Sequence, residues 1–192
     1  MKGRLPAQRP FLARCQTLRN PLYFPHIPAP PADQVLATVM FTDIVDSTVK
    51  AGELGDRRWS EVLHAHDRVA QAQVVRHSGR WVKNTGDGIL ATFDGPGRAI
   101  AAALALLEDA RNLGLELRAG LHTGETERRG EDVAGMAVNI AARVAALAGP
   151  GEGLVTGTVR DLVAGSGIRF EDRGADRLKD IPDEWQVLAV AS

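Results

Sequence analysis

A chain of 192 residues has room for one domain of ordinary size and a tail, and its formal net charge of -1 mixes acidic and basic residues without a basic stripe. That balance argues against a nucleic-acid partner, which would need a surface that neutralises phosphate. The lone cysteine, Cys15, excludes an internal disulfide, and no apolar run approaches the roughly 20 residues that span a bilayer, so the expectation is a cytoplasmic chain without a membrane segment.

Residues 1–33 are rich in proline and end in PHIPAPPAD, a composition suited to an extended tail or linker rather than a packed element. Prolines and charges behind Lys2 and Arg4 break up any signal-peptide core. The folded domain is expected over 34–192. It opens with VLATVMF, an apolar run rich in β-branched residues that suits a buried strand. A helix is predicted from about Asp56 to His77, with Trp59, Val62, Leu63, Val69 and Val74 set among charges. Its histidines, His64 and His66, are assigned to the solvent face and given no role. RWVKN and GILATF then read as two strands of a hairpin around TGDG.

The alanine- and leucine-rich stretch from Gly97 to about Leu113 predicts a second helix, and LELRAGLHTG a further strand. A third helix is expected from about Ala134 to Ala148, stopped by GPGEG. A short strand, a helix near Val159 to Val163 and strands near Ile168 to Asp172 and Gln186 to Val190 complete the chain. Hairpin links alternating with helical crossovers define an α+β fold with a mostly antiparallel sheet and flanking helices.

Three segments bear on chemistry. In FTDIVDST, Asp43 stands where the apolar run stops, so a rigid strand end would hold its carboxylate where a hard divalent cation needs oxygen ligands. Asp43 or Asp46 could equally cap the following helix. In KNTGDGILATF, Asp87 lies between Gly86 and Gly88, which allow close approach of the backbone to a ligand. An Asp-Gly turn, with Lys83 paired to Asp87 across it, is the plainer reading. Two strand-end aspartates nevertheless suit a two-metal site for displacement at phosphorus. In EDVAGMAVNIAARVAALAG, Asn139 and Arg143 are four residues apart and share one helical face, as donors for a ribose oxygen and a phosphate or as a solvated surface. Asp132, just before that helix, reads as a cap or turn residue.

Taken together, the three segments resemble the catalytic domain of the class III adenylate and guanylate cyclases, over roughly Val35 to Val190. The resemblance implies a ferredoxin-like βαββαβ cyclase homology domain. It assigns metal binding to Asp43 and Asp87, with Ile44, and base reading to Lys83 and Asp132. Asn139 would orient the ribose and Arg143 would stabilise the transition state. All six polar positions carry the residues of an ATP-specific member, which implies ATP as substrate, cyclic AMP and pyrophosphate as products, and two Mg2+ or Mn2+ ions per site. It also implies a homodimer with composite active sites. The seven residues ETERRGE between LHTG and Asp132 resemble the short dimerisation arm of a bacterial, actinobacterial subclass found behind α/β-hydrolase domains. The family's second C-terminal lysine has no clear counterpart, Lys179 falling about two residues early. Guanylate cyclase activity and a catalytically silent, nucleotide-binding regulatory module are the alternatives.

Overall fold

In the computed structural model, which describes residues 33–191, the chain runs β1 (Gln34–Ile44), α1 (Ser47–Arg76), β2 (Arg80–Asn84), β3 (Ile89–Phe93), α2 (Pro96–Asn112) and β4 (Leu117–Arg129). It continues through β5 (Asp132–Ala134), α3 (Met136–Leu147), β6 (Gly153–Thr156), α4 (Gly157–Leu162), β7 (Phe170–Asp176) and β8 (Trp185–Val190). Residues 1–32 of the proposed tail, Cys15 among them, lie outside the described residues. The strands form one sheet in the order β2-β3-β1-β4-β6-β8-β7, with β5 paired to β4. The first six elements are the expected βαββαβ unit, and among the described residues β4 with β6 is the one parallel pair in an otherwise antiparallel sheet.

Strand alternation divides the core between the two faces of the sheet. Met40, Ile44, Ile89, Ala91, Phe93 and Leu121 point to one side, where they pack on Ala70 and Val74 of α1 and Ile100 and Leu106 of α2. Val39 and Leu90 point to the other and meet Ala137 and Ala141 of α3. Farther along α3, Ile140 and Val144 pack on Leu154 and Val187. Here α3 lies directly on the sheet backbone: a Cβ at Gly120 of β4 would stand 2.1 Å from the Ala145 nitrogen. Among the described residues no helix is long and apolar enough to cross a membrane.

Three features depart from the sequence reading. First, α1 begins at Ser47 rather than near Asp56, with a break at Gly55, where φ is 74° and ψ 159°. The turn before that break offers no apolar stripe, and Val49 and Leu54 are exposed. Second, β4 runs on to Arg129 and β5 folds back against it, so the polar arm ETERRGE is part of a hairpin held by pairing rather than by burial. Third, His66 is not on the solvent face: it is 1% exposed, beside Ala70, Gln73 and Val74 on the buried side of α1. The spacing 59, 62, 63, 66, 69, 70, 73, 74 places it in the middle of the apolar stripe, so the 3.6-residue period outweighs its polarity.

Candidate active site

Asp43 is the penultimate residue of β1 and follows Val39 and Phe41 in alternation, so it emerges on the α3 side of the sheet. Directly opposite in register on β4 stands Arg118. Its Nε and Nη2 donate to Asp43 Oδ2 at 2.9 and 2.5 Å, and its Nη1 donates to the Ala146 carbonyl at 3.4 Å. Both side chains are about one third exposed, at 34% for Asp43 and 32% for Arg118.

The β2–β3 hairpin brings the second aspartate to the same place. Thr85 N–H donates to the Gly88 carbonyl at 2.9 Å to close the turn, and Gly86 takes φ of 101°, open to glycine at little cost. At Gly88 the hairpin presses on the end of β1: a Cβ there would lie 1.8 Å from the Thr42 carbonyl oxygen. Ile89 N–H also donates to Thr42 Oγ1 at 3.3 Å. Asp87 is thereby set beside Asp43. The Asp43 carboxyl is held above the ordinary aspartate range, chiefly by burial and further by Asp87, against the downward pull of the Arg118 hydrogen bonds.

Two carboxylates of like charge, one of them part-buried, make a donor set fitted to a hard divalent cation, which relieves the repulsion between them. Ions of the Mg2+ type commonly take one or two protein carboxylates and complete their shell from substrate phosphates and water. Asp43 and Asp87 fit that pattern. Ile44 buries its hydrocarbon side chain at 2% exposure, so only its main-chain oxygen could join them.

The remaining predicted residues fall into two groups. Lys83, near the end of β2, donates to Asp132 Oδ2 at 2.6 Å, not to Asp87 across the turn. The other oxygen of Asp132 accepts from Val133 N–H at 2.8 Å, so the residue is fixed at the start of β5 rather than capping α3. Lys83 foremost, with the Val133 N–H, holds the Asp132 carboxyl below its usual range. Asn139 and Arg143 lie one turn apart on α3, with Asn139 exposed. Arg143 Nε donates to the Lys179 carbonyl at 3.2 Å, and its Nη2 is 3.5 Å from Asp180. Lys179 itself is exposed beside this contact. Asp46, the alternative helix cap, adopts φ of 55° and makes no side-chain cap hydrogen bond.

Sequence reasoning missed Arg118. A lone arginine inside LELRAGL reads as the polar phase of a strand. Only the pairing of β1 with β4 reveals that it faces a metal-type aspartate.

One aspartate at a strand end, a second on a hairpin turn beside it and a Lys–Asp pair on the adjoining hairpins thus stand on an α+β fold. Residues 27–187 match the family described as the adenylate and guanylate cyclase catalytic domain, and the chain belongs to that family. The pH-sensitive adenylate cyclase MT1302 of Mycobacterium tuberculosis is 32% identical over 172 residues, covering 85% of this chain and 42% of that protein. An adenylate cyclase of Streptomyces coelicolor is 32% identical over 112 residues, covering 57% of this chain and 29% of its own length. The chain thus spans less than half the length of these curated relatives. The adenylyl cyclase CyaB of Pseudomonas aeruginosa shares the fold at a TM-score of 0.77 and 21% identity, over 83% of this chain and 95% of that one.

Proposed function

We propose that residues 34–192 form an adenylate cyclase catalytic domain that converts ATP to 3',5'-cyclic AMP and pyrophosphate as a homodimer with two composite sites. The observation that carries this reading is the Lys83–Asp132 contact, a donor beside an acceptor at 2.6 Å. Adenine presents the complement, an acceptor at N1 beside the donor amino group, so the base would be read by entering between the two side chains. The adenylate cyclase relatives favour ATP.

Ring closure brings the ribose 3'-hydroxyl onto the α-phosphorus while pyrophosphate departs, so negative charge grows at both ends. Mg2+ or Mn2+ held by Asp43, Asp87 and the Ile44 main chain would supply positive charge that lowers the hydroxyl pKa and offsets charge on the phosphates. Asn139 would orient the ribose and Arg143 would stabilise the crowded phosphorus centre. Arg118, anchored to Asp43, adds a fixed positive charge beside the two aspartates, where the polyphosphate chain would lie. No side chain need act as a nucleophile.

The hairpin supports the dimer reading. Lys83 and Asp87 are four residues apart, yet on the proposed roles they would serve opposite ends of the nucleotide, so each site would combine metal residues of one chain with base and transition-state residues of the other. A twofold interface supplies both halves from one chain type. GTP is the second reading, because the Lys83–Asp132 pair also complements guanine O6 and N1–H.

Turnover of ATP in the presence of manganese tests the proposal. Replacing Asp43 or Asp87 by alanine should lower the rate by about a hundredfold or more with the fold retained. Wild-type turnover in either variant at saturating metal would contradict the metal assignment.

A further inference from the structure

The buried His66 is the start of a chain of contacts that ends on the hairpin. Its Nδ1 lies 3.2 Å from Asp67 Oδ1, and its Nε2 is buried without a hydrogen-bond partner among the described residues. Asp67 Oδ2 accepts from Asn84 Nδ2 at 2.5 Å. Asn84 closes β2, next to Lys83 and three residues before Asp87.

On this side the hairpin is held to the β4–β5 arm by Lys83 on Asp132 and by Arg80 on the Gly130 and Glu131 carbonyls, and to α1 through Asn84. β2 is the edge strand of the sheet, and its ladder with β3 is interrupted between Trp81 and Lys83 by a register shift. Lys83, Asn84, Thr85 and Gly86 are all exposed. On the β3 side Gly88 is wedged against Thr42. On the β2 side, among the described residues, Asn84 to Asp67 is the one side-chain hydrogen bond from α1 to the hairpin. Asp67 is itself fixed from behind. Burial foremost lowers the proton affinity of His66, against the upward pull of the Asp67 carboxylate, and Nδ1 is the ring nitrogen that meets that carboxylate. With Nε2 unpartnered among the described residues, the contact to Asp67 is the ring's one polar interaction there.

We propose that Asp67, braced by His66, is a positioning residue: by gripping Asn84 it fixes the hairpin that presents Lys83 and Asp87, and so sets base selection and metal placement together. The assignment rests on the functional reading above. It places a determinant of selectivity in the helix layer, outside the site itself.

The test compares the wild-type chain with Asp67→Ala, Asn84→Ala, the double variant and Asp67→Asn. Two readouts are taken: hydrogen exchange at the Thr85 amide, and kcat/KM for ATP and for GTP. Each alanine variant should speed Thr85 exchange and lower kcat/KM for ATP by about tenfold, the value of one hydrogen bond to a charged group. The double variant should be no worse than either single one, because both remove the same contact. Asp67→Asn keeps an oxygen for Asn84 and should stay within about threefold of wild type. Thr85 exchange at the wild-type rate in both alanine variants, or losses that multiply in the double variant, would overturn the proposal. A wild-type chain that cyclises neither nucleotide would refute the functional reading, while the exchange measurement would still decide the tether.

Discussion

Lys83 Nζ and Asp132 Oδ2 meet at 2.6 Å although 49 residues separate them in the chain. Their strands are not neighbours: β2 is at the sheet edge, while β5 hangs from the far end of β4. The β4–β5 hairpin reaches β2 through a second contact as well, Arg80 Nη2 donating to the carbonyls of Gly130 and Glu131 at 3.2 and 3.0 Å. Such a meeting of two exposed charged residues adds little to stability, as the proposed base reading requires.

Exchanging Lys83 for glutamate and Asp132 for cysteine should therefore spare the fold and damage ATP use. A mismatched base leaves polar groups unpaired, and kcat/KM for ATP should fall by about a hundredfold or more. Thermal melting should move by only a few degrees, as expected for an exposed pair. Steady-state rates with ATP and GTP give the check, and an unchanged ratio would remove both residues from the base pocket.

Gly88→Ala should be far more damaging than its one added methyl suggests. The new Cβ would lie 1.8 Å from the Thr42 carbonyl oxygen, a backbone atom that cannot swing aside. The hairpin must back away from β1, at a cost of about 1–3 kcal/mol for overpacking. Asp87 would retreat from Asp43 with it. Loss of turnover together with a lowered melting temperature is the expected result, whereas normal turnover would show that the aspartates need no close approach.

The sequence disclosed those elements whose signals are local. RWVKN is β2 residue for residue, and the second helix is placed to within one residue at each end, because alternation and alanine-rich periodicity need no tertiary context. The positions of Asp43, where an apolar run ends, and of Asp87, in a glycine-flanked hairpin turn, were legible. Arg118 was not, since its partner is 75 residues away and becomes visible only through the β1–β4 register. The resemblance assigned Lys83 and Asp132 to one base but did not foresee their contact, because β5 is three residues long and has no apolar pattern to announce it. His66 was legible but misread: its place in the apolar stripe was available, and its polarity was given too much weight.

His122 gives the fold a pH dependence of predictable sign. It is 5% exposed on β4, with Nδ1 2.9 Å from Thr156 Oγ1 and its ring edge-on to Trp185 at 5.2 Å. Burial lowers its pKa from 6.5 to about 4. Between those values the unfolded chain binds the extra proton and the folded chain does not, so stability is full above pH 6.5 and declines as pH falls toward 4. The whole effect is of the order of 3 kcal/mol. Urea unfolding at pH 7 and pH 5 should show a steeper loss for wild type than for His122→Asn, and equal slopes would exclude the histidine as its source.

Composite sites predict rescue between two dead chains. Asp43→Ala and Asn139→Ala should each be inactive, but a mixed dimer gathers both lesions into one site and leaves the other whole. Partial activity should return on mixing and should rise with protein concentration, since dimerisation follows mass action. A mixture that stays inactive while light scattering shows the chains exchanging would point to a site built within one chain.

Identification of the cyclic product tests the central claim most directly. With manganese present and ATP and GTP supplied in separate reactions at equal concentration, the wild-type chain should release 3',5'-cyclic AMP and pyrophosphate from ATP. Its kcat/KM for ATP should exceed that for GTP by about tenfold or more, the discrimination that one or more base hydrogen bonds supply. Equal or greater yield of cyclic GMP would contradict the reading of Lys83 and Asp132 as an adenine pair, and no cyclic nucleotide from either substrate would contradict catalysis by this domain.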